Sequence, residues 1–291
     1  MNDDALLQIS QLHAAVLDRG RASPVLRGVD LAVRRGSIHG LVGESGGGKT
    51  MVGRAVLDLL PDAVRITGGS IRYDGRELVG AAPRERRRLL GREISLILQN
   101  PMTALNPAFR IGAQMIDVLR LHLKMSRRQA LLRTLQLLRQ VQIREPERVI
   151  WLYPHELSGG MCQRVLIAIA FSCEPKLIIA DEPTTALDVT VQQEVLRLLK
   201  GMQRRLGTTV LFITHDLGVV AKLCDDVSVI FAGRILETGT VADVFAQPKH
   251  PYTTALLDAV PRYDRPDRAL HPIPTSLHEQ LWQQAWQYDA R

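Results

Sequence analysis

Two stretches of the sequence carry groups that suit phosphate chemistry. Gly43-Glu44-Ser45-Gly46-Gly47-Gly48-Lys49-Thr50 has the spacing G-x-x-x-x-G-K-[ST] and follows the short apolar run Ile38–Val42. Glycines at this spacing let successive backbone N–H groups turn toward oxyanions, and the helix expected over Met51–Leu60 adds its positive end. Lys49 would reach the β- and γ-phosphates of a nucleoside triphosphate, and the Thr50 hydroxyl would hold Mg²⁺. The second stretch is Leu177-Ile-Ile-Ala-Asp181-Glu182-Pro183, an apolar strand with acids at its C-terminal end, where open α/β sheets place ligands. Asp181 would hold Mg²⁺ directly or through water. Glu182, one residue on, can face an attacking water as general base.

These groups need elements to position them. Strand patterns occupy much of residues 6–36, with Leu7–Ile9 and Leu31–Val33 flanking a loop over Gly20–Pro24. A hairpin is expected at Ser70–Gly75. Between 111 and 142 apolar residues recur at helical spacing, with Ser126 placed to cap the second of two helices. Apolar strands return at Leu177–Ala180, Val210–Thr214 and Val227–Phe231, separated by helices. Strand–helix alternation predicts a parallel sheet covered by helices. An all-helical subdomain at 103–165 interrupts it, and the Pro- and Gln-rich residues 261–291 are expected to form a loosely held tail.

Composition narrows the function classes. A chain of 291 residues with 46% apolar and 23% charged residues is globular rather than disordered. Its longest largely apolar run, Val165–Cys173, falls short of the ~20 residues of a membrane-spanning helix. Acids at Asp3 and Asp4 stand where a signal peptide carries bases, pointing to the cytoplasm. Cys162, Cys173 and Cys224 have neither disulfide nor zinc-ligand spacing. Between Arg76 and Arg148 there are 15 basic and 6 acidic residues, so the positive excess is regional. The charge reads first as a solvated helix face; as a functional feature, with aromatics at only 4% and Phe109 alone in that stretch, it fits an anionic membrane surface better than nucleic acid.

Further motifs carry a resemblance. Leu157-Ser158-Gly159-Gly160-Met161 is a serine-capped, glycine-opened helix start, a second anion-grade terminus in a chain that needs only one. It resembles the signature motif of the ABC-transporter ATPases, over about residues 6–260. Gln99, in Ile97-Leu-Gln99-Asn-Pro101, resembles that family's Q-loop, which touches Mg²⁺ or water. Thr185-Ala-Leu187-Asp188 resembles its D-loop, and His215 in Phe212-Ile-Thr-His215-Asp216 its switch histidine. The resemblance implies an α/β P-loop NTPase fold, a mostly parallel sheet plus N-terminal antiparallel β-structure, with an inserted helical subdomain. It implies two such subunits sandwiching two ATP molecules, each between one chain's P-loop and the other's Ser158–Gly160 segment. Water oriented by Glu182 and His215 would attack in line, with Lys49 and Mg²⁺ spreading the charge.

The segments QNPMTALNP, YPHELSGGM, DEPTTALDVTVQ, THDLGVVA and HPYTTALLDAVP are similar to the subgroup serving binding-protein-dependent uptake of peptides and nickel. This implies two membrane permeases, a second and different ABC ATPase, an extracytoplasmic binding protein and no nucleic acid, with the chain peripheral on the cytoplasmic face of the cell membrane. A nickel or other small-solute importer is the alternative solute class, because no cysteine follows Cys224 where peptide-type members often carry them. A soluble ABC ATPase acting on nucleic acid is a more distant one. The sequence departs from the family at His13-Ala-Ala-Val16, which lacks the aromatic residue that usually stacks on adenine.

Overall fold

The computed structural model describes residues 4–18, 21–185, 187–259 and 272–289; residues 1–3, Arg19, Gly20, Ala186, 260–271 and 290–291 lie outside it. In chain order the elements begin with β1 (Ala5–Asp18), β2 (Arg21–Arg34), β3 (Ile38–Val42), α1 (Lys49–Leu57), β4 (Val64–Tyr73) and β5 (Arg76–Glu77). There follow α2 (Pro83–Leu89), β6 (Ile94–Ile97), α3 (Pro101–Ala104), α4 (Ile111–Leu123), α5 (Arg127–Gln140), α6 (Pro146–Val149), α7 (Gly159–Phe171), β7 (Leu177–Asp181) and α8 (Val189–Leu206). The chain closes with β8 (Thr209–Thr214), α9 (Leu217–Leu223), β9 (Asp226–Phe231), β10 (Arg234–Thr240), α10 (Val241–Ala246), α11 (Pro251–Asp258) and α12 (Thr275–Asp289). Two compact units result, Met1–Ala81 with Leu211–Arg291, and Ala82–Val210. No helix among the described residues is long and apolar enough to cross a membrane.

In the first unit, β2, β1, β4 and β5 form an antiparallel sheet in that order. β2 begins at Arg21, so Ser23 and Pro24, expected in a loop, pair with Val16 and Ala15. Proline is admissible there because β2 is the outermost strand and its missing N–H takes no ladder bond from the sheet. β3 pairs parallel with β9, and β9 antiparallel with β10. Every residue of β3 is buried, as its unbroken apolar pattern requires of a strand covered on both faces. The expected loose tail is corrected where it is described, 261–271 lying outside the described residues: α12 buries Leu281 and Ala285 in the same core as Val42, Val229, Phe231 and Tyr252.

The one polar intrusion into β3 is His39, which is 1% exposed. Its Nε2 lies 2.8 Å from Ser228 Oγ, which in turn lies 2.8 Å from Thr238 Oγ1. Burial disfavours the imidazolium and lowers the pKa to about 4, against a smaller opposing pull from Asp226. The unfolded chain therefore takes up this proton near pH 6.5 and the folded chain only near pH 4. Stability from this group is present above pH 6.5 and is lost as pH falls toward 4, on the order of 3 kcal/mol in all. Urea midpoints measured between pH 7.5 and 4.5 should fall, and the fall should be shallower in His39→Gln.

In the second unit, β6 and β7 pair parallel. Ser126 opens α5 with the expected capping box: its Oγ accepts from Gln129 N while its own N–H donates to Gln129 Oε1. Ile111, Met115 and Leu119 of α4 are buried as the spacing of the apolar residues predicts, but in α5 the buried line runs through Ala130, Thr134, Leu137 and Leu138, and Leu132, expected on it, is 55% exposed. The arginine run falls on α2, where Arg84, Arg87 and Arg88 are exposed and Leu89 is buried.

Candidate functional site

The phosphate loop leaves β3 at Gly43 and enters α1 at Lys49. A Cβ at Gly43 would stand 2.1 Å from the carbonyl oxygen of Ile230, so only glycine lets the chain leave the sheet this close to β9. Gly48 caps α1 at φ 100°, a left-handed conformation that side chains resist. The loop is braced from behind: Gly233 N donates to Gly47 O at 2.9 Å, and Arg27 N donates to Gly233 O at 2.8 Å. Gly46, by contrast, faces open space. Lys49 is 4% exposed, and its Nζ donates to the carbonyls of Gly43 (2.9 Å) and Glu44 (2.8 Å). The ammonium thus sits inside the curl of the loop, which also closes on itself through Gly47 N to Glu44 O at 3.1 Å. Ser45 is exposed and Thr50 is half-buried, one residue into the helix. In the same unit His215 stands exposed at the end of β8, beside Asp216, whose Oδ1 caps α9 by accepting from Val219 N.

The second unit assembles the acids. The register of β6 on β7 pairs Ile97 with Ala180, so Gln99 and Glu182 both stand two residues beyond one rung of the ladder. The structure brings them together: Gln99 Nε2 donates to Glu182 Oε2 at 2.9 Å, and Thr185 Oγ1 donates to the same oxygen at 2.9 Å. Two donors on one oxygen fix the plane of the carboxylate. Glu182 adopts φ 47°, a sparsely populated conformation for a non-glycine residue and of the kind found at functional sites. Asp181 is 8% exposed at the C-terminal end of β7. Ser158 caps α7, its Oγ accepting from Met161 N at 3.3 Å, with Gly159 and Gly160 as the first helical residues. Asp188 caps α8, its Oδ1 accepting from Val191 N at 3.0 Å. A Cβ at Gly160 would stand 2.7 Å from Val191 Cγ1, so the two capped helix starts pack closely where glycine allows it. The segment Thr185–Asp188 is described except at Ala186.

With this geometry in place, the comparison with known families is decisive. The profile of the ABC transporter family matches residues 26–185, more than half of the chain. The chain belongs to the ABC transporter family. As an ABC ATPase it binds ATP and couples its hydrolysis to transport. A second profile, that of the oligopeptide/dipeptide transporter C-terminal region, matches residues 236–282 of this ABC ATPase. It is 49% identical over 273 residues to a probable D,D-dipeptide transport ATP-binding protein of Escherichia coli (strain K12), covering 94% of this chain and 83% of that one. It is 45% identical to the oligopeptide transport ATP-binding protein OppD of Salmonella typhimurium, covering 93% and 81%. Among solved structures, cbiO1 of Clostridium perfringens superimposes with a TM-score of 0.71 at 26% identity, over 90% of this chain and 97% of that one. The dimeric cassette MJ0796 bound to ADP and Pi shares the fold, with a TM-score of 0.72 at 24% identity, over 81% of this chain and 98% of that one.

One functional feature escaped the sequence. Tyr252, in the His250-Pro251-Tyr252-Thr253 segment, donates its hydroxyl to the Glu44 carboxylate of the phosphate loop at 3.1 Å. A tyrosine in an apolar helix start signals burial, but nothing in the spacing says which loop its hydroxyl meets.

Proposed function

We propose that this ABC ATPase energises a binding-protein-dependent importer of di- and oligopeptides. The observation that carries the reading is the C-terminal match to the oligopeptide/dipeptide transporter region, together with relatives named for dipeptide and oligopeptide transport. In this reading the Gly43–Thr50 loop cradles the β- and γ-phosphates, and Lys49 leaves its two carbonyl partners to meet them. Glu182, held in plane by Gln99 and Thr185, takes a proton from the attacking water, and His215 contacts the γ-phosphate. Ser158, Gly159, Gly160 and Asp188 serve the nucleotide of a second ABC ATPase subunit, a different chain, whose P-loop they face. The Thr50 hydroxyl, the Gln99 amide and the Asp181 carboxylate are hard oxygen donors of the kind Mg²⁺ takes. When bound, that ion neutralises charge on the β- and γ-phosphates.

The chain would sit peripherally on the cytoplasmic face of the membrane, under two permeases that receive solute from an extracytoplasmic binding protein. Exposed apolar groups support a docking face on the second unit: Phe109 is 54% and Trp151 60% exposed, and the Arg110 guanidinium lies 5.5 Å over the Trp151 ring. The test is purification with the partner membrane proteins, then reconstitution in vesicles. ATP-dependent uptake of di- or oligopeptides is the expected result. Uptake of Ni²⁺ with no response to peptides would replace the solute. Absence from membrane fractions, with nucleic acid bound instead, would overturn the importer reading.

A further inference from the structure

Glu44 occupies a peculiar place in the phosphate loop. Its main-chain carbonyl is the hub of the loop, accepting from both Lys49 Nζ and Gly47 N. Its carboxylate is a negative charge within a loop that must grip a polyanion, and a carboxylate turned toward the phosphates would repel them. The structure ties it to the C-terminal helices. Tyr252 Oη donates to Glu44 Oε2, and the buried Nε2 of His278 lies 2.9 Å from the same oxygen without hydrogen-bond geometry, an ion pair only when the imidazole is protonated.

Both partners come from the C-terminal region and are themselves firmly seated. His250 caps α11 by accepting from Tyr252 N at 3.1 Å, and Pro251 takes the first helical position. Tyr252 is fully buried, its ring edge-on to Phe231 at 4.9 Å. Burial, and then the nearby Glu44 carboxylate, push its pKa above the ordinary tyrosine value, so the hydroxyl keeps the proton it donates. His278 sits on α12, with its ring 5.6 Å from Phe231. The far end of α12 is also anchored. Asp289 accepts from Arg27 Nε at 2.7 Å and Nη2 at 3.0 Å, and Arg27 Nη1 donates to Ala232 O at 2.7 Å. Ala232 adjoins Gly233, whose N–H braces Gly47, so α12 reaches the loop along a second route.

We propose that Tyr252 and His278 are positioning residues for the phosphate loop, holding the Glu44 carboxylate away from the nucleotide so that the C-terminal region sets the grip on ATP. The inference rests on the assignment of Gly43–Thr50 as the triphosphate site. It gives the His250–Thr253 segment a purpose within the chain: a capped, proline-started helix that aims one phenol at the loop.

The test is titration of the full-length chain with a fluorescent ATP analogue, in the wild type, Tyr252→Phe, His278→Ala and Glu44→Ala. Tyr252→Phe keeps the ring and removes only the hydroxyl, and should weaken binding roughly 10-fold, the low end of the scale of one hydrogen bond to a charged group. His278→Ala should weaken it less. In the Glu44→Ala background neither change should have any further effect, and in the assembled transporter Tyr252→Phe should raise KM while leaving kcat in place. A merely structural role would instead persist without Glu44. Wild-type affinity in both Tyr252→Phe and His278→Ala, or an undiminished effect in the Glu44→Ala background, overturns the proposal while leaving the site intact. A wild-type chain that binds no ATP overturns the site and the proposal together.

Discussion

Replacing Glu182 by Gln should leave a chain that binds ATP with nearly wild-type affinity and turns it over slower by about 10²–10⁴-fold, the range that a positioned general base contributes. The substitution is close to isosteric and removes the one lone-pair-rich oxygen pair able to take a proton. Gln99 and Thr185 donate to Glu182 Oε2, and the amide oxygen of a glutamine can still accept both bonds, so the local geometry should survive. The left-handed backbone at Glu182 costs glutamine no more than it costs glutamate. Phosphate release from the assembled complex and nucleotide titration of the same preparation separate the two effects. Equal turnover in Glu182→Gln would move the base elsewhere. A matching loss of affinity would mean that the carboxylate organises the nucleotide rather than the water.

The residues proposed for this chemistry were legible because the chemistry demands their spacing. A loop that must present backbone N–H groups inward needs glycine at fixed offsets, and Gly43 and Gly48 are where the fold admits nothing larger or nothing with ordinary φ. The cap at Ser126 was legible for the same local reason, since a side-chain oxygen three residues before Gln129 closes a box by itself. Elements fixed by distant contacts were not. The helix expected over Met51–Leu60 instead runs Lys49–Leu57, because Gly48 and Asp58, both left-handed, set its ends. Pro24 marked a loop by local rule, yet the outermost position of β2 tolerates it. α12 was hidden by its glutamines. The signal lay in Leu277, Leu281 and Ala285, four residues apart, which face the first unit's core while the glutamines face outward. The partners of Glu44 stand more than 200 residues away in sequence, a separation that no local pattern encodes.

Lys49 should give the complementary result, losing binding as well as turnover. Its ammonium is buried and bonded to the carbonyls of Gly43 and Glu44, inside the curl of the loop. In the proposed site Lys49→Ala removes that charge from the place of the triphosphate, and takes the Lys49 donor from the Gly43 carbonyl while the Glu44 carbonyl keeps Gly47 N. Affinity for ATP should fall on the order of 10- to 100-fold, the scale of a charge-assisted hydrogen bond in a partly desolvated site. Turnover at saturating ATP should fall a further ~10²–10³-fold, because the same group stabilises charge developing in the transition state. Lys49→Arg should not rescue it, since a planar fork cannot occupy the space of a point charge folded between two carbonyls. Calorimetric titration alongside far-ultraviolet circular dichroism checks that loss of binding is not loss of fold. An unchanged affinity in Lys49→Ala, in a folded chain, would place the phosphates outside this loop. Glu182→Gln and Lys49→Ala therefore divide the reaction between them: one variant that grips and does not cut, and one that does neither.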